Sequence, residues 1–281
     1  MKIISQNLKM QKIITIENIR INLAKDPSTL VRKALSENPE ISIEVQKILV
    51  TGDGKGALEG LARNSHVDHS IYHELIKIAE ADNDKKSFIM QGFFDNPNLP
   101  KKIKNKIVSE KYKEYFFMSF QCLSLDDTEK KYIINTLNSI GTKASLDDFK
   151  INSVNKKQAV VSIRRTKKQF QEIMQNGILK DQIQIVLEED TPIEFINELI
   201  KREDLKNFDS WLSVALAQNP NVKYETLAKM SKSINKEVLK AIVTNKNINL
   251  EILEKISKNK DNSVRSIVAN PNWFELPPFM F

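Results

Sequence analysis

The sequence has a single cysteine, Cys122, among its 281 residues. One thiol forms neither an internal disulfide nor a four-thiolate zinc or iron–sulfur site. Its scarcity is therefore typical of a protein from a reducing compartment. Seven glycines and nine prolines are also few for this length, and strands joined by tight turns would need more of both. Together these shortages favour an all-helical fold.

Long apolar runs are missing as well. No stretch is long enough to cross a bilayer, and residues 1–7 lack the apolar core of a secretory signal. The net charge of +7 is moderate and spread over both ends of the chain, whereas dedicated nucleic-acid modules usually concentrate their charge. We therefore expect a protein that makes no membrane contact and is cytoplasmic, or is exported by a route that needs no cleavable signal.

The sequence does contain an internal repeat, which is the first feature to look for in a helical chain. Near the C-terminus three segments, 215–222, 241–248 and 266–273, align without gaps. Each has small apolar residues, then an anchor asparagine, then Pro or Lys, then Asn. The anchors are Asn219, Asn245 and Asn270. Their period of about 25–26 residues lies in the range that solenoid proteins use.

The same pattern opens the chain. The anchors Asn38 and Asn64 show the same interval, and Asn96 follows at a longer one, so an insertion of about one helical turn precedes it. In the middle, Ile163 and Glu188 occupy the anchor position, again at the regular interval. Residues 105–155 resist alignment and have room for one or two divergent repeats.

Each repeat has a simple local interpretation. A short apolar helix runs up to the anchor, and a second, amphipathic helix begins three to five residues later, as in 250–256. The asparagine is expected to end the first helix in the left-handed conformation, and an adjacent proline prevents its continuation. One helix pair cannot bury its apolar face alone, but stacked pairs can. The sequence therefore predicts an all-α solenoid.

One part of the pattern resembles a known family. Val31-Arg32 leads to Asn38-Pro39, and Val264-Arg265 leads to Asn270-Pro271, while 191–196 reads Thr-Pro-Ile-Glu-Phe-Ile. This consensus resembles the leucine-rich repeat variant family over residues 26–100 and 159–273. The resemblance implies helices and short 3₁₀ segments in a right-handed superhelix, related to HEAT and armadillo stacks. Some members bind an iron–sulfur cluster through N-terminal cysteines, which this sequence lacks, so no cofactor is expected.

The repeats suggest a division of the chain into five parts. We expect an N-terminal cap at 1–25, repeats at 26–104, a divergent or bent region at 105–155, and further repeats at 156–272. The apolar end, 273–281, is expected to cover the last repeat, or else to dock into another subunit. The solenoid should bend or break where the spacing stretches, before Asn96 and Asn219.

Basic residues are densest between positions 150 and 168, a stretch with no acidic residue after Asp148 until Glu172. Turns of successive repeats stack along one edge of a solenoid, so these side chains could meet phosphates or an acidic partner. No aromatic residue interleaves them before Phe170, and an ordinary solvated face is the alternative. The candidate residues for an anionic partner are Lys156, Lys157, Arg164, Arg165, Lys167 and Lys168. A second basic run, at 101–113, is interpreted as the exposed face of a helix.

All three histidines, His66, His69 and His73, lie close together in the sequence, with Asp68 among them. Such a set could bind zinc or another divalent metal. The repeat alignment argues against this, since it places His66 in a turn, His69 at a partly buried position and His73 towards solvent. No metal site is therefore predicted.

Aromatic residues are densest at Tyr112, Tyr115, Phe116, Phe117 and Phe120. Their spacing of three and four positions is typical of a buried helix face, with a partner groove as the alternative. The acidic run 188–190 is interpreted as helix capping.

The sequence has no phosphate-binding glycine loop, Gly-x-Ser-x-Gly or His-Glu-x-x-His motif. The leading hypothesis is a non-enzymatic scaffold that binds another protein along a helical face. The alternative is a nucleic-acid-binding solenoid that uses the basic edge at 150–168.

Overall fold

A computed structural model describes residues 2–52, 54–121, 125–140, 144–146, 167–177, 179–188, 191–202 and 210–273. Over these ranges all regular structure is helical, and they contain no strand. The all-α fold is therefore confirmed for the described part of the chain. None of its helices is both long enough and apolar enough to span a membrane.

The chain divides into two compact units, which are residues 20–156 and residues 157–281 together with 1–19. We call them the 20–156 unit and the 157–281 unit. Helix α1, Lys2–Ala24, contributes to both. The other helices of the 20–156 unit are α2 (Thr29–Ser36), α3 (Ile43–Thr51), α4 (Lys55–Arg63), α5 (His69–Ala81), α6 (Asn83–Asp95), α7 (Lys101–Ile107), a 3₁₀ segment (Glu110–Gln121) and α8 (Asp127–Ser139).

The 157–281 unit repeats the same alternation. Its helices are α9 (Lys167–Asn176), α10 (Leu179–Leu187), α11 (Ile193–Arg202), α12 (Trp211–Gln218), α13 (Tyr224–Met230), α14 (Lys236–Thr244), α15 (Leu250–Ser257), α16 (Asn262–Ala269) and a closing 3₁₀ turn (Pro271–Trp273).

Helices α2, α4, α6, α10, α12, α14 and α16 each end within two residues of an anchor position, and we call them first helices. A second helix then begins five residues after the anchor, at Ile43, His69, Lys101, Ile193, Tyr224 and Leu250. Polar side chains cap several of these starts: the Ser42, Asp68 and Asn249 side chains accept hydrogen bonds from backbone N–H groups of the following turn. The predicted helix pairs are confirmed around six anchor positions: Asn38, Asn64, Asn96, Glu188, Asn219 and Asn245.

First helices pack directly against the first helices of neighbouring repeats, as α2 on α4 on α6, and as α10 on α12 on α14 on α16. Close approach needs a small residue at the contact. The position four residues before each anchor asparagine has one in every case: Ala34, Gly60, Gly92, Ala215, Ala241 and Ser266, and all are buried. At Gly92 a Cβ would lie 2.2 Å from the carbonyl oxygen of Glu59 on α4.

Asn64, Asn96, Asn219, Asn245 and Asn270 do not adopt the left-handed conformation, so that expectation is wrong at these anchors. Asn64, Asn96, Asn219 and Asn245 have φ between −78° and −62° and ψ between 115° and 128°, which is extended backbone. Each Oδ1 instead accepts a hydrogen bond from the backbone N–H two residues later, as from His66 to Asn64 at 2.9 Å. The anchor therefore closes a turn with its side chain, which is an Asx turn.

The anchor side chains also join successive repeats. Asn64 Nδ2 donates to the carbonyl oxygens of Ser36 and Asn38, each at 2.9 Å. Asn245 Nδ2 makes the equivalent bonds to Ala217 and Asn219, at 2.7 and 2.9 Å. These anchors are buried, so Asn64 and Asn245 satisfy backbone carbonyls at the end of the preceding repeat that would otherwise lack partners.

The stretched repeat before Asn96 keeps this connection through a tyrosine. Asn96 Nδ2 donates to Ala62 O at 2.9 Å and to Tyr72 Oη at 3.2 Å. Tyr72 Oη in turn donates to Asn64 O at 2.6 Å. The buried hydroxyl therefore fills the place of a direct bond between anchors, and burial raises the pKa of Tyr72.

Within the described residues, the first helices on either side of each stretched interval stay in contact, so no break separates α4 from α6 or α10 from α12. Before Asn96 the extra residues lengthen α5 and α6 to 13 residues each, while α4 and α6 stay in contact. Asn219 Nδ2 donates to Val186 O, two residues before the anchor position at Glu188. This bond also confirms that Glu188 occupies that position.

Candidate interaction surface

The second helices of the 157–281 unit begin with apolar residues, two of which are exposed. Ile193 is 43% exposed and Tyr224 50% exposed, and Leu250 is half-buried. Each follows its anchor by five residues, and the repeats stack through their first helices. The three side chains are therefore equivalent in successive repeats, and we call them the apolar row.

A row of carboxylates lies beside the apolar row. Glu194, Glu225 and Glu251 occupy the next position of the same helices, and all three are exposed. We call them the acidic row. Negative charge in the first turn is favoured by the helix dipole, so the glutamates have a local explanation. The dipole does not favour an apolar side chain at the first helical position, and the apolar row has no such explanation.

One basic side chain of the chain itself lies against the acidic row. Lys167 Nζ on α9 is 3.7 Å from Glu194 Oε1 on α11. Within the described part of the chain, Glu225 and Glu251 form no ion pair. Two of the three carboxylates are therefore free to meet a cation from outside.

The 20–156 unit does not maintain this surface. Its first repeat has the same pair, Ile43 (44% exposed) and exposed Glu44. The next repeat has His69 and Ser70 at these positions, and the third has Lys101 and Lys102. Three consecutive apolar–acidic pairs therefore occur only in the 157–281 unit, among the described repeats. Ile43 and Glu44 provide an isolated copy that serves as a control.

The three histidines are all exposed. The expectation that His69 is partly buried is wrong, because its position is the first residue of a second helix, which is also exposed at Ile43 and Tyr224. His66 lies in the turn, where its ring bonds Ser65, and His73 faces solvent, both as expected. Among the described residues, no group of three or more His, Cys, Asp or Glu side chains is arranged to hold a metal ion.

Of the six basic candidates, Lys156, Lys157, Arg164 and Arg165 lie outside the described residues. Lys167 and Lys168 open α9 and are exposed. Their ammonium groups lie 3.7 Å from Glu194 and 4.0 Å from Glu172. The two described candidates are therefore partly neutralised by carboxylates of their own unit. Cys122, residues 189–190 and the apolar end at 274–281 also lie outside the described residues.

The basic run 101–113 is not one exposed helix face, because α7 ends at Ile107 and a 3₁₀ segment begins at Glu110. Lys101 and Lys102 are exposed as expected. The remaining lysines of the run are engaged in ion pairs. Lys104 pairs with Glu129 at 3.2 Å, Lys106 and Lys111 pair with Glu80 at 3.2 and 2.7 Å, and Lys113 pairs with Glu110 at 2.5 Å.

The hydrogen bonds of Glu80 predict how the stability of the fold depends on pH. Hydrogen bonds from Lys111, Tyr112 and Lys106 lower the pKa of Glu80 from 4.5 to about 2. A carboxyl group whose pKa is lower in the folded state stabilises the fold at any pH above its pKa in the unfolded state. That stability is lost as the pH falls from about 4.5 towards 2. In Glu80→Gln we expect a flatter stability curve over this range and a loss of about 1 kcal/mol at neutral pH, since solvent screens a group near the surface.

Urea unfolding of wild type and Glu80→Gln at several pH values measures this difference. Glu74→Gln is the control, because its ion pair with Lys77 is exposed on both sides and is expected to add little. Parallel curves for wild type and Glu80→Gln below pH 4.5 would contradict the assignment.

The aromatic stretch is only partly a buried face. Tyr112 and Phe116 are fully buried, whereas Phe117 is 58% exposed. The stretch is a 3₁₀ segment with non-helical angles at Tyr112, and its three-residue turns rotate side chains away from the face that an α-helix would bury. Phe120's side chain lies outside what the structure describes.

A charged network across the first helices of the 20–156 unit was not predicted. Arg63 on α4 pairs with Glu37 on α2 at 2.7 Å and with Asp95 on α6 at 2.8 Å. Lys33 on α2 pairs with Glu59 on α4 at 3.1 Å. The repeat alignment does contain a signal for this network. The residue one position before the anchor alternates in charge between successive repeats, and the residues five positions before Asn38 and Asn64 have opposite charges. These groups satisfy one another, so the network joins repeats and is not free for a partner.

No protein-family model, no curated protein and no solved structure matches the chain.

Proposed function

We propose that this chain is a non-enzymatic repeat scaffold that binds another protein through the apolar and acidic rows of the 157–281 unit. The observation that carries the proposal is the recurrence of one apolar–acidic pair in three successive repeats, with the carboxylate exposed in all three and the apolar side chain exposed in the first two. Burial of large apolar side chains is the main favourable term in protein association, and Tyr is enriched where interfaces concentrate their binding energy. The pairs recur at equivalent positions of successive repeats, which suits an elongated partner segment.

The proposed architecture is a right-handed superhelical solenoid of the leucine-rich repeat variant type. Support comes from the repeat consensus, from first helices that pack on their equivalents in each unit, and from anchor side chains that bond the preceding repeat. The single cysteine supports a reducing compartment such as the cytoplasm.

Affinity capture tests this function. Wild-type protein is expected to retain a partner in stoichiometric amount, and the double variant Ile193→Ser/Tyr224→Ser is expected to lose it. Both side chains are exposed, so the variant should fold normally, which circular dichroism checks. Ile43→Ser is the matched control and should capture as wild type does.

Equal capture by all three proteins would contradict the proposed surface. Binding of duplex DNA at low salt that is lost when Arg164, Arg165, Lys167 and Lys168 become Glu would instead support the nucleic-acid alternative.

A further inference from the structure

We propose that the partner presents a basic segment whose apolar side chains recur at the spacing of the stacked repeats, with Lys or Arg next to them. This inference rests on the proposed function, because it names the partner class for the same surface. It follows from three features of the rows, which are their spacing, their charge and the position of Lys167.

The spacing is set by the stacking of the repeats. The first helices α10, α12 and α14 pack on one another, and packed helices lie about 8–10 Å apart, so the partner has to match a repeat spacing of about that size. A partner segment can match this spacing in two ways. Residues one heptad apart in an α-helix are about 10.5 Å apart on nearly one face, and every third residue of a polyproline II helix is about 9.3 Å apart on one face.

The charge requirement follows from the acidic row. Glu194, Glu225 and Glu251 follow the apolar residues directly in sequence and are exposed. A segment that places apolar side chains on Ile193, Tyr224 and Leu250 must therefore bring its neighbouring residues close to these carboxylates. Cations at those neighbours gain a favourable interaction, whereas Asp or Glu would be repelled. The Lys167–Glu194 pair at 3.7 Å is an example, within the chain, of an ammonium group beside this row.

A second copy of the chain is a poorer occupant of the same surface. In a two-fold dimer, identical surfaces face each other. The acidic rows would then meet with like charge, which opposes association.

The experiment uses the full chain and four labelled peptides in fluorescence anisotropy. The first peptide carries leucines one heptad apart, and the second carries a leucine at every third position together with prolines. Lysines flank the leucines in both. The other two are identical except that Glu replaces Lys. We expect one of the lysine peptides to bind and its Glu counterpart to bind at least about tenfold more weakly. Binding should weaken as salt rises, because exposed charges are screened.

Substitutions then locate the site. The double variant Glu225→Gln/Glu251→Gln is expected to bind the lysine peptide about fivefold more weakly, which is the effect of losing two exposed ion pairs. Most of the salt dependence of binding should be lost with them. The double variant Ile193→Ser/Tyr224→Ser should bind the same peptide more than tenfold more weakly. Ile43→Ser/Glu44→Gln is the matched control and should leave binding unchanged.

The outcomes separate this inference from the proposed function. If neither lysine peptide binds, or if the Glu peptides bind equally well, the basic partner is wrong, and capture through Ile193 and Tyr224 can still stand. If the charge variant has no effect on a peptide that binds, the acidic row takes no part and the inference is overturned. Sedimentation that shows a dimer dependent on Tyr224 would identify a second copy as the occupant instead.

Discussion

Replacing Asn245 with alanine is expected to lower the free energy of unfolding by about 3 kcal/mol. The Asn245 side chain is almost completely buried and makes three hydrogen bonds to backbone. Its Nδ2 donates to Ala217 O and Asn219 O at 2.7 and 2.9 Å, and its Oδ1 accepts from Asn247 N at 2.8 Å. In the alanine variant these three backbone groups lose their hydrogen-bond partner, and each buried unsatisfied group costs about 1–3 kcal/mol.

Urea unfolding followed by circular dichroism measures this loss. Lys246→Ala is the matched control, because it changes an exposed neighbour in the same turn and is expected to shift stability by less than about 0.5 kcal/mol. Asn245→Asp separates the roles of the two side-chain atoms. It keeps an acceptor for Asn247 N but sets a carboxylate oxygen against two carbonyl oxygens, so it should be at least as destabilising at neutral pH. A loss in the alanine variant no larger than that of the control would mean that the anchor does not join the repeats.

Gly92→Val is expected to destabilise the 20–156 unit by about 3 kcal/mol or more. A Cβ at Gly92 would lie 2.2 Å from Glu59 O and 2.7 Å from Ala62 Cβ. The first of these atoms is helix backbone, so no side-chain rotation relieves the clash, and α4 and α6 must separate. Separation would also lengthen the bond from Asn96 Nδ2 to Ala62 O, which is 2.9 Å.

Gly56→Ala is the control for this prediction, since it is a glycine on α4 with a different environment. Its Cβ would first meet Lys33 Cδ at 3.3 Å, which belongs to a long side chain. Alanine is favoured over glycine in a helix by about 1 kcal/mol, so Gly56→Ala should be neutral or stabilising. Thermal unfolding of both variants measures the contrast. A Gly92→Val variant as stable as wild type would show that the first helices do not need to approach so closely.

The local structure could be predicted from the sequence because the repeat is regular. The anchor positions, the helix on each side of them and the lack of strands in the described ranges all follow from residue spacing and composition. The equivalence of Glu188 with the anchors was also visible, although Glu differs from Asn in chemistry, because the positions around it match. What the spacing could not show is which atoms the anchor side chains bind, because those carbonyls belong to the preceding repeat and are distant in the sequence.

The candidate surface was harder to predict. The sequence placed His69 at a partly buried position, because apolar residues at the equivalent positions suggested a core. The structure shows that position exposed at Ile43 and Tyr224, which is what makes the apolar row unusual. The basic segment at 150–168, which the sequence suggested as a site for an anionic partner, lies mostly outside the described residues. Its two described candidates, Lys167 and Lys168, lie beside carboxylates.

The sequence by itself therefore determined the all-α class, the repeat and the anchor positions, since these depend on local propensities and on a period that recurs along the chain. Only the tertiary structure decided what the anchors do and which apolar residues remain exposed. The reason is that both depend on contacts between repeats. A buried asparagine acquires its partners only when one helix pair is stacked on the next, and that stacking buries other apolar side chains while a first-turn isoleucine or tyrosine is left in solvent.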